Sequence, residues 1–151
     1  MSTHSLNFYT SYNQFYIVDK GSLQDTNLFN FWTEEAFDAR LAIKTGVVGV
    51  RTACYGPVKA SLAILLKPAT NPDFISPDHV VEGSLFVESG YLYVLDCPNM
   101  AVELELNISP GLYRIRVSSY NLNTVEGDEG NDFYQIELWP TDEENTMIIR
   151  Q

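Results

Sequence analysis

Basic residues are scarce in the second half of the sequence. Residues 76–151 hold fourteen acidic residues but only Arg114, Arg116 and Arg150, whereas residues 1–75 hold six residues of each sign, so the net charge of −11 arises entirely in the second half. A phosphate backbone requires a basic surface, so direct nucleic-acid binding is disfavoured. A basic protein partner would be attracted to this half of the chain.

Other absences narrow the class of protein further. No stretch approaches 18 consecutive apolar residues, which excludes a membrane-spanning helix. No basic segment followed by an apolar run opens the chain, so no secretory signal is evident and a cytoplasmic location is expected. The two cysteines, Cys54 and Cys97, form no CxxC pair and are expected to be buried thiols, and whether they form a disulfide stays open.

Short segments rich in β-branched and aromatic residues recur along the chain, separated by turn residues such as those of "YGP", "ESG" and "SPG". The 151 residues, 45% of them hydrophobic, suit one domain spanning 1–151. The pattern predicts a mainly β fold, an antiparallel β-sandwich of about eight or nine short strands with one helix packed on it. The strand candidates are 5–10, 13–19, 47–54, 58–67, 79–88, 91–96, 101–107, 112–120 and 133–139.

The predicted helix covers residues 33–45. Thr33 can cap its first turn, Glu34 and Glu35 would complement the positive helix end, and Gly46 would stop it. Residues 67–78, with three prolines, read as a long surface loop, and residues 141–151 as a flexible C-terminal tail.

The segment 101–117 is predicted to be a hairpin folded about "ISPG". In that register Glu105 faces Arg114 and Glu103 faces Arg116, which would stabilise the hairpin by about 0.2–1 kcal/mol per pair. Two of the three arginines of the second half would then be neutralised, and the acidic residues near 126–132 and 142–144 would remain uncompensated.

The stretch "TVEGDEGND" (124–132) is the first candidate binding segment, since it holds Glu126, Asp128, Glu129 and Asp132 and no basic residue. Its spacing loosely resembles a calcium loop with Glu137 as the last ligand. That loop, however, needs glycine at the position of Asn131 and an acid or amide at the position of Gly130. A solvated loop or a loop facing a basic partner fits better, so no metal site is predicted. The second candidate segment carries Asp142, Glu143 and Glu144.

Catalytic signatures are weak. The chain has two histidines, His4 and His79, each expected to be an ordinary surface or edge residue. A hydrolase using Cys54 or a serine with His79 and Asp96 is conceivable because such groups assemble in space, but no local motif supports it. The sequence therefore predicts a protein that is not an enzyme and has no cofactor.

The order of several motifs resembles the competence protein J family, whose named member inhibits a bacterial DNA-entry nuclease. The motifs that carry the resemblance are "SYNQF" (11–15), "FWTEEAF" (31–37), "GVVGVRT" (46–52), "SPGLYRIRV" (109–117) and "DFYQIELWP" (132–140). The "EGDEGND" loop and the "TDEENTMIIRQ" tail have no counterpart in the resemblance.

The resemblance implies a bacterial, intracellular protein that binds a nuclease and blocks it. It assigns no contact residues. The charge distribution suggests that Glu126, Asp128, Glu129 and Asp132 make the first contacts with a basic nuclease, and Asp142, Glu143 and Glu144 the second. The alternative of another class is a calcium- or carbohydrate-binding β-sandwich module.

Overall fold

The computed structural model describes residues 2–25 and 31–151, and within them the fold is built mainly from strands. The first strands are β1 (Ser2–Tyr9), β2 (Gln14–Asp19), β3 (Leu41–Lys44), β4 (Val47–Arg51), β5 (Pro57–Ile64) and β6 (His79–Val87). The later ones are β7 (Tyr91–Leu95), β8 (Val102–Asn107), β9 (Gly111–Tyr120), β10 (Phe133–Pro140) and β11 (Met147–Arg150). One α-helix, α1 (Glu34–Ala39), and two 3-10 helices, Lys20–Asp25 and Leu122–Thr124, complete the described elements.

The strands form two sheets. Sheet A has the order β1-β5-β10-β9-β6-β11, and sheet B has the order β3-β4-β2-β7-β8. All neighbouring strands are antiparallel except β5 and β10, which run parallel, with Tyr134 beside Ala60. The predicted mainly β, antiparallel-rich fold with one helix is thus confirmed, although the described residues contain more strands than predicted.

The main core lies between the two sheets. Alternate residues of each strand face inward, as period-two burial requires. From sheet B come Phe15, Ile17, Val48 and Val94, and from sheet A come Phe8, Leu62, Ile115, Ile136 and Leu138. Phe8 and Phe15 meet edge to face, with ring centroids 5.6 Å apart.

The outer face of sheet B carries a second apolar cluster. Tyr16, Val18 and Tyr93 pack there against Phe31, and Trp32 and Ala36 lie over the same face. Gly49 of β4 makes this possible, since an added Cβ would lie 2.6 Å from Phe31 Cε2 and 2.9 Å from Trp32 Cζ2. The segment leading into α1 therefore covers sheet B.

The helix is shorter than predicted. Thr33 caps it as expected, with Oγ1 accepting the Ala36 amide at 3.1 Å, but the helix ends at Ala39 and Arg40 takes the left-handed conformation. Residues 41–44 form β3 and pair with β4. Leu41 is buried between the sheets, so the Phe37–Leu41 spacing taken for a helix face belongs to two different elements.

The predicted hairpin over 101–117 is wrong. The chain crosses between the sheets after Asn107, so β8 pairs with β7 in sheet B while β9 pairs with β6 and β10 in sheet A. Glu103 and Glu105 therefore do not face Arg114 and Arg116. The physical reason is that apolar residues of β8 and β9 cover opposite sides of the same core, which a flat hairpin would not allow.

The prediction for the C-terminal residues needs a correction. Residues 141–146 have no regular structure, but Met147–Arg150 form β11 and pair with the edge of β6. Arg150 Nε donates to the Pro77 carbonyl at 2.8 Å, which fixes this strand against the 67–78 loop. Within residues 2–25 and 31–151, no helix is long and apolar enough to cross a membrane.

Candidate functional site

The first predicted contact segment forms a tight turn between β9 and β10. The Glu126 amide donates to the Glu129 carbonyl at 2.8 Å, and the Glu129 amide donates back to Glu126 at 3.1 Å. Gly127 at φ +64° supplies the positive φ that this turn requires. The side chains of Glu126, Asp128 and Glu129 are all exposed, so three carboxylates project from one short turn.

Asp132 is placed differently from its three predicted companions. It is only 4% exposed. Its Oδ2 accepts the Tyr134 hydroxyl at 2.6 Å and the Cys54 amide at 3.2 Å. The Tyr134 oxygen in turn accepts the Ala53 amide at 2.7 Å. In this arrangement Asp132 anchors residues 53–54 to β10 and does not present its carboxylate at the surface.

The second predicted segment lies against sheet A and is held by its backbone. Ser84 Oγ donates to the Glu143 carbonyl, and Arg114 Nη1 donates to the Asn145 carbonyl at 2.5 Å. Asp142, Glu143 and Glu144 are exposed, but the Glu143 carboxylate lies 3.8 Å from Arg114 Nε. One of the three charges is therefore partly compensated.

The structure does not bring the two acidic segments together. One precedes and the other follows β10, whose 8 residues span about 23 Å at an ordinary strand rise. A single small basic patch cannot contact both, so each segment would need its own area on a partner. Of the two, the 126–129 turn has the less compensated charge, since the contact found near it is Lys59 Nζ to the Gly130 carbonyl at 3.4 Å.

A buried charge network on the outer face of sheet A was missed by the sequence analysis. Glu82 bridges two arginines, with Oε1 3.0 Å from Arg114 Nε and Oε2 2.9 Å from Arg116 Nε. Arg116 also lies between the rings of Phe74 and Trp139, at 4.9 and 4.7 Å from their centroids. The cross-strand register of β6 and β9 places these groups together, and no local sequence signal reveals that register.

His79 is buried, contrary to the expectation of a surface or edge residue. It is 4% exposed, and neither ring nitrogen has a hydrogen-bond partner among the described residues. Burial, together with the positive charges of Arg40 and Arg51, lowers the pKa of His79 to about 4. The described structure therefore shows no hydrogen bond that would make this imidazole the base of a Cys54 or serine nucleophile.

The remaining candidate groups are the two cysteines and Asp96. Cys54 and Cys97 are buried free thiols, as expected, and Tyr16 Oη lies 3.6 Å from Cys97 Sγ. Asp96 Oδ1 accepts the Ala101 amide at 3.1 Å within the β7–β8 turn. In the ranges 2–25 and 31–151, no group of three or more His, Cys, Asp or Glu residues is arranged to hold a metal ion.

These features define a two-sheet β protein with a helical cover on one sheet and exposed acidic segments beside β10. Among solved structures, the fold is similar to that of ComJ from Bacillus subtilis, described as the inhibitor of the DNA-degrading activity of NucA. The TM-score is 0.68 and the identity 17%, over 93% of this chain and 96% of ComJ. The resemblance in sequence motifs is thus matched by a similar fold.

A second solved structure, named crocagin biosynthetic gene J, has the same overall arrangement with a TM-score of 0.55 and 16% identity. The similarity covers 93% of this chain and 99% of that protein. No family model matches the sequence, and no curated protein matches it in sequence. At these identities the likeness defines the fold, and the two names show that this fold occurs in different biological settings.

Proposed function

We propose that this protein is a non-enzymatic inhibitor that binds and blocks a bacterial DNA-degrading nuclease. The observation that carries the proposal is the exposed turn bearing Glu126, Asp128 and Glu129 on a fold similar to that of ComJ. Asp142, Glu143 and Glu144 form a second, separate contact area. Asp132 supports the first area from within by anchoring the start of β10.

The charge balance of the surface supports an acidic contact. Of the three arginines in residues 76–151, Arg114 and Arg116 are buried and bound to Glu82, and the exposed carboxylate that either of them approaches within 4 Å in the described part of the chain is that of Glu143. Arg150 lies against the Pro77 carbonyl on another edge of sheet A. The carboxylates of the 126–129 turn therefore have no arginine within ion-pair distance among the described residues.

A nuclease active site must attract a polyanion, so it carries a basic surface and in many cases a metal ion. Three carboxylates on a short turn imitate successive phosphates in charge and would compete for that surface. Such charge complementarity speeds association and selects the partner. The two hydrogen bonds within the turn order its backbone before binding, which lowers the entropy cost of presenting the carboxylates.

The test is a DNA-degradation assay. The purified protein is titrated into a NucA-type DNA-entry nuclease, ideally from the same source organism, at low and at moderate salt. Loss of cleavage at about one inhibitor per nuclease, weakening as salt rises, is the expected result. Undiminished cleavage at large excess would overturn the proposal. Inhibition that does not change with salt would overturn the proposed acidic contact surface but would still support the inhibitor function.

A further inference from the structure

A cavity of about 640 Å³ lies where the β1–β2 turn and the end of β4 meet α1. Its volume is within the range of small-molecule sites. Although the protein is acidic overall, the cavity combines two guanidinium groups with three aromatic rings, from Tyr12, Trp32, Phe37, Arg40 and Arg51. None of these residues belongs to the acidic segments beside β10.

Neither arginine of the cavity forms an ion pair with a carboxylate in the part of the chain that the structure describes. Arg40 Nη2 donates to the Arg51 carbonyl at 3.2 Å, and Arg51 Nη1 donates to the Phe37 carbonyl at 3.0 Å. Arg40 Nε is buried without a hydrogen-bond partner. Across the described ranges, the ion pairs within 4 Å involve Arg114 and Arg116 and neither of these two arginines. Asp38 is near enough to favour the charged form of Arg51, but it forms no such ion pair.

Unpaired guanidinium groups at a half-buried site are costly, since their lost hydration is not replaced by an anion. The buried guanidinium groups of Arg114 and Arg116 are instead neutralised by a shared ion pair with the Glu82 carboxylate. Among the described residues Arg40 and Arg51 form no such ion pair. Burial lowers the pKa of Arg40, although Tyr134 and Asp132 lie near enough to favour its charged form. The Asp132 carboxylate is already bound to the Tyr134 hydroxyl and the Cys54 amide. Arg40 Nε has no hydrogen-bond partner among the described residues, so this side of the cavity suits an anion supplied from outside.

The backbone around the cavity adopts conformations that its residues disfavour. Tyr12 has φ +60° and Arg40 has φ +61°, in the left-handed region that costs a non-glycine residue about 1–2 kcal/mol. Asn13, beside Tyr12 in the cavity wall, also has a positive φ. Glycine would fit the backbone better at positions 12 and 40, so Tyr12 and Arg40 stand there at a cost in stability, as is common at binding sites.

The aromatic walls are held in place by their own contacts. Trp32 Nε1 donates to Gln14 Oε1 at 2.6 Å, and the same oxygen accepts the Tyr16 hydroxyl at 2.9 Å. The Phe37 ring stacks on Arg51, with Cζ 3.7 Å from the ring centroid. Stacking covers the face of the guanidinium and leaves its in-plane N–H donors available to an oxyanion.

We propose that this cavity binds a small aromatic molecule that carries a carboxylate or phosphate group. Arg40 and Arg51 hold the oxyanion by charge-assisted hydrogen bonds, and Tyr12 and Trp32 contact the ring of the ligand. The site is separate from the proposed nuclease contact, and its binding is measured without any nuclease. Failure of one proposal is therefore distinguishable from failure of the other.

Isothermal titration calorimetry with four probes tests the proposal. Benzoate and phenyl phosphate carry both required groups, inorganic phosphate lacks the ring, and benzyl alcohol lacks the charge. Saturable binding of benzoate or phenyl phosphate with a Kd of roughly 1 µM to 1 mM is expected, with the tighter probe identifying the oxyanion. Inorganic phosphate should bind more weakly than phenyl phosphate, and benzyl alcohol should give no saturable signal.

Variants connect the binding to the named residues. Arg51→Gln should weaken binding by about 10-fold or more, whereas the control Lys67→Gln removes an equal charge from an exposed position outside the cavity and should change nothing. Arg51→Lys retains the charge and should restore only part of the affinity. No saturable binding of either aromatic anion to the wild-type protein would overturn the proposal. So would equal affinities in the wild type, Arg51→Gln and Lys67→Gln, or inorganic phosphate binding as tightly as phenyl phosphate.

Discussion

The Tyr134 hydroxyl, in β10, donates to Oδ2 of Asp132, the residue just before that strand, at 2.6 Å. The same carboxylate accepts the Cys54 amide from the other side. An acidic residue grouped by sequence with the surface carboxylates of its turn is thus a buried acceptor that joins β10 to the residues after β4.

Asp132→Ala should destabilise the protein by about 1–3 kcal/mol, because the Tyr134 hydroxyl and the Cys54 amide would be left buried without an acceptor. Urea unfolding gives the free energy of unfolding. Asp132→Asn retains one acceptor oxygen and serves as the control, with a smaller loss expected. Unchanged stability in Asp132→Ala would show that this carboxylate does not hold the strand.

Glu82→Gln should cost roughly 3 kcal/mol or more, since it leaves the buried guanidinium groups of Arg114 and Arg116 without their common counter-charge. Chemical denaturation measures the effect. Glu137→Gln is the matched control, because among the described residues its carboxylate pairs with one arginine and not two, Arg116 at 3.7 Å. Equal losses in both variants would contradict a central role for Glu82.

His79 should make stability depend on pH. The unfolded chain takes up a proton near pH 6.5, but the folded protein resists protonation of His79 down to about pH 4 because burial and the two arginines lower its pKa. The folded state is therefore favoured above pH 6.5 and loses stability as the pH falls from 6.5 to 4, by at most about 1.4 kcal/mol per pH unit. Thermal or urea unfolding across that range measures the slope, and His79→Leu should show a smaller one. Identical slopes in the two proteins would rule out His79 as the source.

Gly49→Ala should destabilise the protein by about 1–3 kcal/mol, because the added methyl group would displace the Phe31 and Trp32 rings from sheet B. A change in tryptophan fluorescence should accompany the loss. Gly56→Ala is the control, since its added Cβ would meet Tyr9 Cδ1 at an ordinary 3.8 Å. Equal effects at both positions would argue against the close packing at Gly49.

Replacing the exposed acids of the 126–129 turn tests the proposed contact. The triple variant Glu126→Gln, Asp128→Asn, Glu129→Gln should weaken nuclease inhibition by about 10-fold or more and reduce its salt dependence. The control variant, with Glu88, Glu103 and Glu105 changed to Gln, removes the same charge from exposed positions elsewhere and should have a much smaller effect. If the two variants lose inhibition to the same extent, the net charge of the protein and not this turn is responsible.

The strands were predictable where hydrophobic alternation is regular, and all nine candidate segments correspond to strands of the structure. The missed strands, β3 and β11, are four residues long, too short for a periodic signal. The predicted helix over 33–45 includes the residues of β3, because Phe37 and Leu41 have helical spacing. The helix ends at Arg40 in the left-handed conformation, and because this residue is not a glycine the sequence carries no signal for that end.

Pairing between distant strands could not be predicted from local pattern. Glu103 and Glu105 alternate with apolar residues just as Arg114 and Arg116 do, so a hairpin satisfied every local rule. The choice of Glu82 as the partner of both arginines depends on the β6–β9 register, set by the core on the opposite face. In the acidic turn, sequence identified the residue type, but only the fold separates exposed Glu126, Asp128 and Glu129 from buried Asp132.

The parallel pairing of β5 with β10 has a consequence for biosynthesis. In sheet A, β10 is the strand that joins the β1–β5 pair to β9 and β6. A nascent chain that has not yet released residues 133–140 from the ribosome holds that sheet as two unconnected parts, with their apolar faces exposed. Sheet A is therefore completed only after residues 133–140 have left the ribosome, and the interval before β10 emerges is when the chain most needs protection from aggregation.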